Sequence, residues 1–415
     1  MNLSRKAHWS ASKTHDMGNA LKRSKQLDRM PEYLPALGSR WLLLIGEVVK
    51  RVAEDLDRRI VEQELGDPFL GNRNYRPYPL NSKYFTQIRR VESDRRLAFL
   101  DGGNQELIGA PNFSVQLNRT YFNMFARARM TQPKSLPNKI EFISVTHTDF
   151  GKGGICYHTS VFPANEKCAE ILPEPSDLSF NSTDKRIMVG NARADIRRVA
   201  SITRRFAEWQ CAKKVLENEL GPRDILVMDG TLWTGFPNES KYARAVYTAA
   251  NEKGVLCTGL SKTSRLLTTT GLSLSGAVRR LALDNEVGPM WYYYPIADSL
   301  STDHQAAIFL LKLSDQSQRI FRYEIHSGQA RALNPEELNE IFSELSINAS
   351  DLSFPGYPYG LIDADDNARV RFEELETYRV LLLSEVSKLG SAAKFLRHMQ
   401  STDAHDVLNG LREAS

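Results

Sequence analysis

The sequence has few cysteines and no long hydrophobic run. Its four cysteines, among 415 residues, show no C-x-x-C spacing and no paired framework. We therefore interpret them as reduced, structural thiols and expect no zinc site. No stretch approaches the roughly 18 uncharged apolar residues of a membrane span, and we see no secretory signal at the start. These features predict a cytoplasmic protein that does not enter a membrane.

The sequence also lacks a strong charge imbalance, internal repeats and low-complexity tracts. Its net charge is only +4, with 25% charged and 41% hydrophobic residues. This balance excludes a polycationic nucleic-acid coat, so any basic groove must arise from local clustering. The length allows one large domain with insertions or two ordinary domains, either with a sizeable core.

The N-terminal 93 residues carry no recognisable catalytic motif. Residues 1–30 are polar and basic, which favours a flexible arm over a contact for DNA or a partner protein. Residues 31–93 are predicted to form a helical and loop extension. Apolar residues recur at helical spacing from Trp41 to Leu65, and Gly66 follows as a stop signal. This pattern predicts an amphipathic helix for packing or dimerisation.

Aromatic and basic residues alternate over 72–90, an arrangement that suits single-stranded DNA because rings stack on bases while cations hold phosphates. Arg73, Arg76 and Tyr78 are the candidate contacts. The segment alone nevertheless favours the alternative, a surface loop pinned by its tyrosines. A second aromatic run, Trp291 to Tyr294, is predicted to pack within a strand rather than to stack on bases.

The remaining chain alternates predicted strands with predicted helices. Strands are expected over 97–101, 139–146, 225–229 and 254–260, with further β-type content over 112–128. Helices are expected over 195–220, 240–252, 366–388 and 391–413, and an irregular insertion over 151–184. A strand meander followed by strand–helix–strand units predicts an α/β fold with a mixed sheet flanked by helices.

Two of the hydrophobic strands end on an Asp-Gly pair. The run FLDGG places Asp101 before two glycines, and the run ILVMDG places Asp229 before one. We expect the backbone to turn sharply after each carboxylate, so that two strands could bring two carboxylates to one metal ion. One Asp-Gly pair after a strand is commonly only a turn, so the hypothesis needs further residues that share the site.

Carboxylates elsewhere in the chain could complete this site. Glu208 lies on the helix predicted over 195–220, and Asp363, Asp365 and Asp366 cluster in the run PGYPYGLIDADDN. Clustered carboxylates suit Mg²⁺ or Mn²⁺, and two such ions would activate water and stabilise the leaving oxygen of a phosphodiester. Taken alone, Glu208 is more simply explained as a solvated helix residue.

Two basic residues follow the strand predicted over 254–260. Lys262, with Arg265 nearby, could neutralise the charge that develops on a phosphate during hydrolysis. Lys262 considered alone could equally cap or pair elsewhere. The hypothesis therefore depends on the whole set of residues rather than on any single member.

The acidic run also matches a calcium-binding helix-loop-helix at Asp363, Asp365, Asn367 and Glu374. The sixth loop position requires glycine for a sharp turn, but this chain has Ala368 there. Prolines and glycines also interrupt the helix that should precede the loop. We judge the match accidental, and a calcium-sensing module is our third hypothesis.

The runs FLDGG, VMDGTL, GLSKTSRL and PGYPYGLIDAD, with the helical segment of Arg205 and Glu208, resemble the NurA nuclease family. The resemblance covers about 94–375 in the right order. It implies a ribonuclease H-like fold, with a nuclease domain over 94–375 that contains insertions and with C-terminal helices over 376–415 packed on the same domain. N- and C-terminal helices thus flank the resembling region.

The same resemblance implies an activity and partners. Family members degrade DNA with Mn²⁺ (or Mg²⁺), here expected as two ions, as 5′ to 3′ exonucleases and single-strand endonucleases. They act as dimers on the hexameric ATPase-translocase HerA in DNA end resection and repair. The alternative for this chain is a catalytically weakened DNA-binding or assembly subunit of the same complex.

Site residues follow from the resemblance together with the motifs. The expected metal ligands are Asp101, Glu208, Asp229 and Asp365. Tyr357 and Lys262 are expected to join them as catalytic residues. The expected DNA contacts are Arg73, Arg76, Tyr78, Arg205 and Arg265. The family usually has a histidine where this chain has Asp365, and Asp363 is the alternative ligand.

Overall fold

The computed structural model of the protein describes residues 36–59, 64–71, 73–151, 153–390, 392–395 and 397–399. The predicted arm over 1–30 and the end of the last predicted helix lie outside these ranges. The chain divides into two units, residues 1–63 and 64–415. The first contains helix α1, Ala36–Arg59, whose Ile45, Val49 and Leu56 are exposed. The predicted amphipathic helix is thus present, and no described helix has the length and apolar character to cross a membrane.

The second unit is built on a mixed sheet of twelve strands. The strands of this unit are β1 Pro68–Phe69, β2 Tyr75–Pro77, β3 Phe85–Gln87, β4 Arg96–Ala110, β5 Phe113–Ala126, β6 Arg129–Thr131, β7 Lys139–Gly151, β8 Gly154–Pro163, β9 Ser179–Asn181, β10 Ile225–Asp229, β11 Leu256–Ser261, β12 Leu267–Thr268, β13 Trp291–Tyr293, β14 Ala297–Ser299, β15 Ala306–Lys312 and β16 Phe321–His326. The helices are α2 Glu166–Ala169, α3 Ile196–Ala200, α4 Ile202–Asn218, α5 Glu239–Lys253, α6 Leu274–Asp284, α7 Ser327–Ala330, α8 Pro335–Asn348, α9 Tyr359–Ala368 and α10 Phe372–Lys388, with 3₁₀ turns at Ser82–Tyr84 and Pro175–Leu178.

The centre of the sheet has the strand order β11-β10-β4-β5-β7. β10 is parallel to both β4 and β11, whereas β4, β5 and β7 form an antiparallel meander. Met228 is level with Leu100, so the next residues, Asp229 and Asp101, reach the same edge of the sheet. Because Asp229 is level with Leu260, Lys262 also follows at this edge. Parallel pairing therefore gathers the residues singled out in three separate motifs.

Helices cover both faces of the central strands. In β4, Ala98 and Leu100 pack in the core under α4 and α5, and Leu97 and Phe99 pack in the core under α8 and α9. A strand buried on both faces is expected to be continuously hydrophobic, as the run before Asp101 is. The α/β fold that we predicted, with a mixed sheet flanked by helices, is confirmed.

The structure corrects the predicted turn after Asp101. β4 continues through Gly102 and Gly103 to Ala110, and both glycines stay paired with β5. Glycine is needed at both positions because it has no Cβ atom. A Cβ at Gly102 would collide with the carboxylate of Glu208, and one at Gly103 with the carbonyl oxygen of Ala368. The two glycines therefore allow α4 and the end of α9 to approach the strand.

Other boundaries also differ from the sequence prediction. Residues 154–163 of the predicted irregular insertion form β8, which pairs with β7 as a hairpin. The acidic run lies on helix α9 rather than on a loop, which removes the geometry of a calcium-binding loop. The helix predicted over 366–388 is interrupted at 369–371, between α9 and α10. The run from Trp291 to Tyr293 forms the buried strand β13, as predicted.

Candidate metal centre

Three carboxylates from three elements converge at the sheet edge. Asp101, Asp229 and Asp365 each offer an oxygen within 4.8 Å of the others. Asp101 and Asp229 arrive from neighbouring strands, and Asp365 arrives from α9, which packs across β4 and β5. Such a set of carboxylate oxygens is the donor chemistry preferred by Mg²⁺ and Mn²⁺.

The ammonium group of Lys262 lies among these carboxylates. Its Nζ is 2.6 Å from Asp365 Oδ1, 3.1 Å from Asp229 Oδ2 and 3.5 Å from Asp101 Oδ2. Burial opposes the charge of Lys262, but the carboxylates of Asp229, Asp365 and Asp101 more than offset it and raise its pKa. The lysine is therefore held as a cation.

The carboxylates themselves are not equivalent. Burial, together with the charges of Asp229 and Glu208, raises the pKa of Asp101 to about 8 even though Lys262 opposes the shift. Asp365 is more exposed, and although burial opposes it, hydrogen bonds from Lys262 and Arg369 lower its pKa. Without a cation beyond Lys262, Asp101 is therefore the carboxyl group that retains a proton near neutral pH.

Tyr357 forms a hydrogen bond to one of the carboxylates. Its buried hydroxyl donates to Asp229 Oδ1 at 3.2 Å, and its ring packs against Phe321 and Phe354. Burial and the charges of Asp229 and Asp101 raise the pKa of this hydroxyl far above its ordinary value. Tyr357 is thus a neutral donor that holds one oxygen of Asp229 in place.

Glu208 is close to the three carboxylates but does not belong to the converging set. It is buried, which contradicts the interpretation as a solvated helix residue. Its Oε1 pairs with Arg204, and its Oε2 accepts from Arg205 at 3.1 Å. Arg204 also donates to the carbonyl oxygen of Gly102 at 3.0 Å, which ties α4 to the strand of Asp101.

Arg205, a predicted DNA contact, is used inside the protein. Its guanidinium donates to Glu208, to Glu239 Oε1 at 2.8 Å and to the carbonyl oxygen of Thr231 at 3.1 Å. The same group lies 4.8 Å from the ring centre of Trp209. These contacts link α4 to the loop after Asp229, which favours a positioning role over contact with DNA.

The other predicted site residues are spread more widely. Arg73, Arg76 and Arg265 are exposed. Tyr78 donates its hydroxyl to Asp298 Oδ2 at 2.8 Å, as in the alternative of a loop pinned by tyrosines. Asp363, the alternative ligand, accepts from Asn123 at 2.7 Å and stays outside the converging set.

A cavity of about 480 Å³ opens beside the carboxylates. Some of its lining residues were not selected from the sequence: Arg198, Trp233 and Glu239. Trp233 follows the run VMDGTL directly, so its proximity to Asp229 was available as a signal. The partnership of Arg369 with Asp365 was also visible, as an i,i+4 spacing on one helix. Glu239 gave no local signal because its partners Arg205 and Trp209 are distant in sequence.

Comparisons with known proteins agree with the motifs. The family model described as NurA domain matches residues 95–370, whereas no curated protein matches the sequence. The NurA nuclease from Sulfolobus solfataricus is similar at 13% identity and TM-score 0.45, covering 86% of this chain and 98% of that one. Ciona intestinalis Endonuclease V, solved with a 24mer DNA, is similar at 10% identity and TM-score 0.32, covering 70% and 92%. Argonaute from A. aeolicus is similar at 10% identity and TM-score 0.28, covering 68% and 29%. Since the family model spans most of its length, this chain belongs to the NurA nuclease family.

Proposed function

We propose that this protein is a metal-dependent nuclease that hydrolyses phosphodiester bonds of DNA. The observation that carries the proposal is the convergence of Asp101, Asp229 and Asp365 around Lys262, beside an open cavity. Family membership supports the reaction class, because it marks the chain as a nuclease independently of this geometry.

The side chains at the centre fit a hard divalent cation. The converging donors are all carboxylate oxygens, which suits Mg²⁺ or Mn²⁺ better than zinc. The raised pKa of Asp101 reflects burial and the charges of Asp229 and Glu208, and a divalent cation would compensate this negative charge. Bound there by Asp101, Asp229 and Asp365, one or two such ions would activate water and stabilise the leaving oxygen.

Residues of the chain have separable roles in this proposal. Lys262 is a fixed cation that can neutralise charge on the reacting phosphate. Tyr357 holds Asp229 through its hydroxyl, and Arg369 holds Asp365 at 2.6 Å. Glu208 keeps Arg204 and Arg205 in place and can serve as a further ligand if those arginines release its oxygens.

The finer assignment rests on the family resemblance. We infer 5′ to 3′ exonuclease and single-strand endonuclease activity in DNA end resection, by a cytoplasmic homodimer that works with a HerA-type ATPase. A catalytically weakened DNA-binding or assembly subunit is the second candidate. It is favoured by one observation, namely that Asp365 is paired with both Lys262 and Arg369 where the family usually has a histidine.

One assay separates the two candidates. Single- and double-stranded DNA, labelled at either the 5′ or the 3′ end, is incubated with Mn²⁺, with and without a chelator. A nuclease shortens the DNA only when the metal is available, and the two label positions report the direction of digestion. DNA that is bound but never shortened would instead establish the non-catalytic subunit.

A further inference from the structure

One wall of the cavity beside the carboxylates contains no residue of the metal centre. This wall is formed by Trp233 and Phe236, from the loop after β10, and by Arg186 and Arg198. Trp233 is 55% exposed, although most large aromatic side chains of the unit are buried. A tryptophan left open to water inside a charged cavity requires an explanation, because burial of its ring elsewhere would have stabilised the fold.

The backbone on both sides of Trp233 is fixed. The amide of Leu232 donates to Glu324 Oε2 at 2.8 Å, and the amide of Thr234 donates to the carbonyl oxygen of Asp303 at 2.7 Å. Leu232 and Thr234 are both buried. The loop therefore presents the exposed indole from a rigid base rather than from a mobile segment.

Gly235 supports the indole on one side. A Cβ added at Gly235 would lie 3.1 Å from Cη2 and Cζ3 of Trp233, closer than side chains normally allow. The ring therefore rests close to the glycine backbone, and it also lines the cavity. An exposed planar ring that lines a cavity is suited to stack on another planar group.

The charges of the cavity restrict what that planar group can be. Arg186 and Arg198 attract anions, whereas the carboxylates at the metal centre repel them until a cation is bound. A ligand that matches both the arginines and the metal-loaded carboxylates has a flat ring and more than one phosphate. One of these phosphates would lie at the metal centre. The cavity volume, about 480 Å³, is in the range of ligand-binding sites, on the order of 300–1,000 Å³.

We propose that this wall binds the nucleotide adjacent to the scissile phosphate. Trp233 stacks on its base, and Arg198, with Arg186, holds the neighbouring phosphate. The proposal rests on the proposed function, because that function places the scissile phosphate at the carboxylates. A base can stack on Trp233 only after it leaves its neighbours in a duplex, so the site selects unpaired strands or frayed ends.

Stacking is tested by fluorescence, without any hydrolysis. A single-stranded thymidine oligonucleotide with one 2-aminopurine and a hydrolysis-resistant phosphorothioate backbone is titrated with the protein in low salt, with Ca²⁺ in place of Mn²⁺ as a hard cation for the carboxylates and with the probe at successive positions. Stacking on Trp233 should quench the probe at one position. Trp233→Ala should abolish that quenching and weaken affinity about 5- to 150-fold, whereas Trp233→Phe should retain much of both.

Matched variants separate stacking on Trp233 from other effects of a substitution on DNA binding. Phe150→Ala also removes an exposed aromatic ring, at 80% exposure, but Phe150 does not line the cavity, so this variant should behave like the wild type. Arg198→Ala should keep the quenching but lower the slope of log affinity against log salt by about 0.7, the value for one phosphate contact on a single strand. A blunt duplex should bind more weakly than the same strand unpaired.

The outcomes distinguish the two proposals. If Trp233→Ala binds and quenches like the wild type, the nucleotide site is refuted even when the wild type digests DNA with Mn²⁺. If the wild type quenches the probe through Trp233 but digests no DNA, the nucleotide site stands and the proposed hydrolysis fails. Absence of quenching at every probe position in the wild type also overturns the nucleotide site.

Discussion

Lys262 Nζ lies 2.6 Å from Asp365 Oδ1, although these residues are 103 positions apart and belong to a strand end and a helix. The same ammonium group contacts Asp101 and Asp229, so a lysine occupies the position nearest to all three carboxylates. A metal ion attracted to these oxygens must compete with the lysine for them, because two cations at such short distances repel each other.

Replacement of this lysine should therefore separate metal binding from turnover. In Lys262→Met we expect Mn²⁺ to bind roughly tenfold more tightly, because a competing positive charge is removed. Turnover should nevertheless fall by about 10²- to 10³-fold, since the cation near the reacting phosphate is lost. Calorimetric Mn²⁺ titration and steady-state digestion measure the two effects. Lys388→Met, an exposed lysine on α10, serves as the control, and weaker Mn²⁺ binding in Lys262→Met would contradict the competition.

The two aspartates of α9 should differ in importance. Asp365→Asn removes a converging carboxylate, and we expect it to lower the digestion rate by at least about 10²-fold. Asp363→Asn should retain most of the digestion rate, because Asp363 accepts from Asn123 and Asn367 and lies outside the converging set. Digestion rates of both variants at saturating Mn²⁺ test this pair. The reverse ranking would make Asp363 the ligand.

The raised pKa of Asp101 predicts a pH-dependent stability of the metal-free protein. Asp229, Glu208, Lys262 and Tyr357 face this carboxyl group. Its pKa is about 8 in the folded state and about 3.9 in an unfolded chain, so the folded state retains a proton that the unfolded state releases. Stability should therefore fall as the pH rises from about 4 to 8.

Asp101→Asn should flatten this dependence. At pH 8 in chelator, we expect the variant to be more stable than the wild type by on the order of 3 kcal/mol, and the difference should shrink towards pH 5. Urea unfolding at the two pH values measures the free energies of unfolding. The variant should also lose Mn²⁺-dependent digestion, and an unchanged slope of stability against pH would count against the assigned pKa.

Gly102 should tolerate no side chain. In Gly102→Ala the new Cβ would collide with the buried carboxylate of Glu208, which Arg204 and Arg205 hold in place. We expect a loss of about 1–3 kcal/mol in the free energy of unfolding and a clear drop in digestion rate. Gly151→Ala is a matched control at the end of a strand, because its Cβ would meet only Cys156 Sγ, at 4.0 Å.

Arg205 should act on stability rather than on DNA affinity. Arg205→Met leaves the buried Glu239 without a cationic partner and Glu208 with Arg204 alone, which should cost about 3–5 kcal/mol. The salt dependence of DNA binding should stay unchanged in this variant. Arg265→Ala, at an exposed position, should instead lower the salt slope on single-stranded DNA by about 0.7 per phosphate contact. The opposite pattern would restore Arg205 as a DNA contact.

Local sequence patterns were sufficient for the part of the site that the sheet assembles. Asp101 and Asp229 each follow a hydrophobic run, and adjacent parallel strands deliver such residues to the same edge. Lys262 follows the next strand of the sheet and reaches that edge for the same reason. These strands can be predicted because the period and the length of an apolar run indicate whether a strand is buried on one face or on both faces.

The tertiary structure determined the side-chain contacts between different helices and strands. Which aspartate of α9 faces the metal centre depends on how the helix rests on β4 and β5, and periodicity does not report that orientation. Glu208 became a buried partner of two arginines, and Gly102 became the position that gives it room. The arginines are three and four positions from Glu208 on one helix, a local spacing, but nothing local indicates that this cluster is buried against Gly102, about a hundred positions away. The sequence alone determined the family, the central sheet, two strand-borne carboxylates and the lysine that follows the next strand, whereas the packing of helices on that sheet determined the third carboxylate and the contact of Glu208 with Gly102.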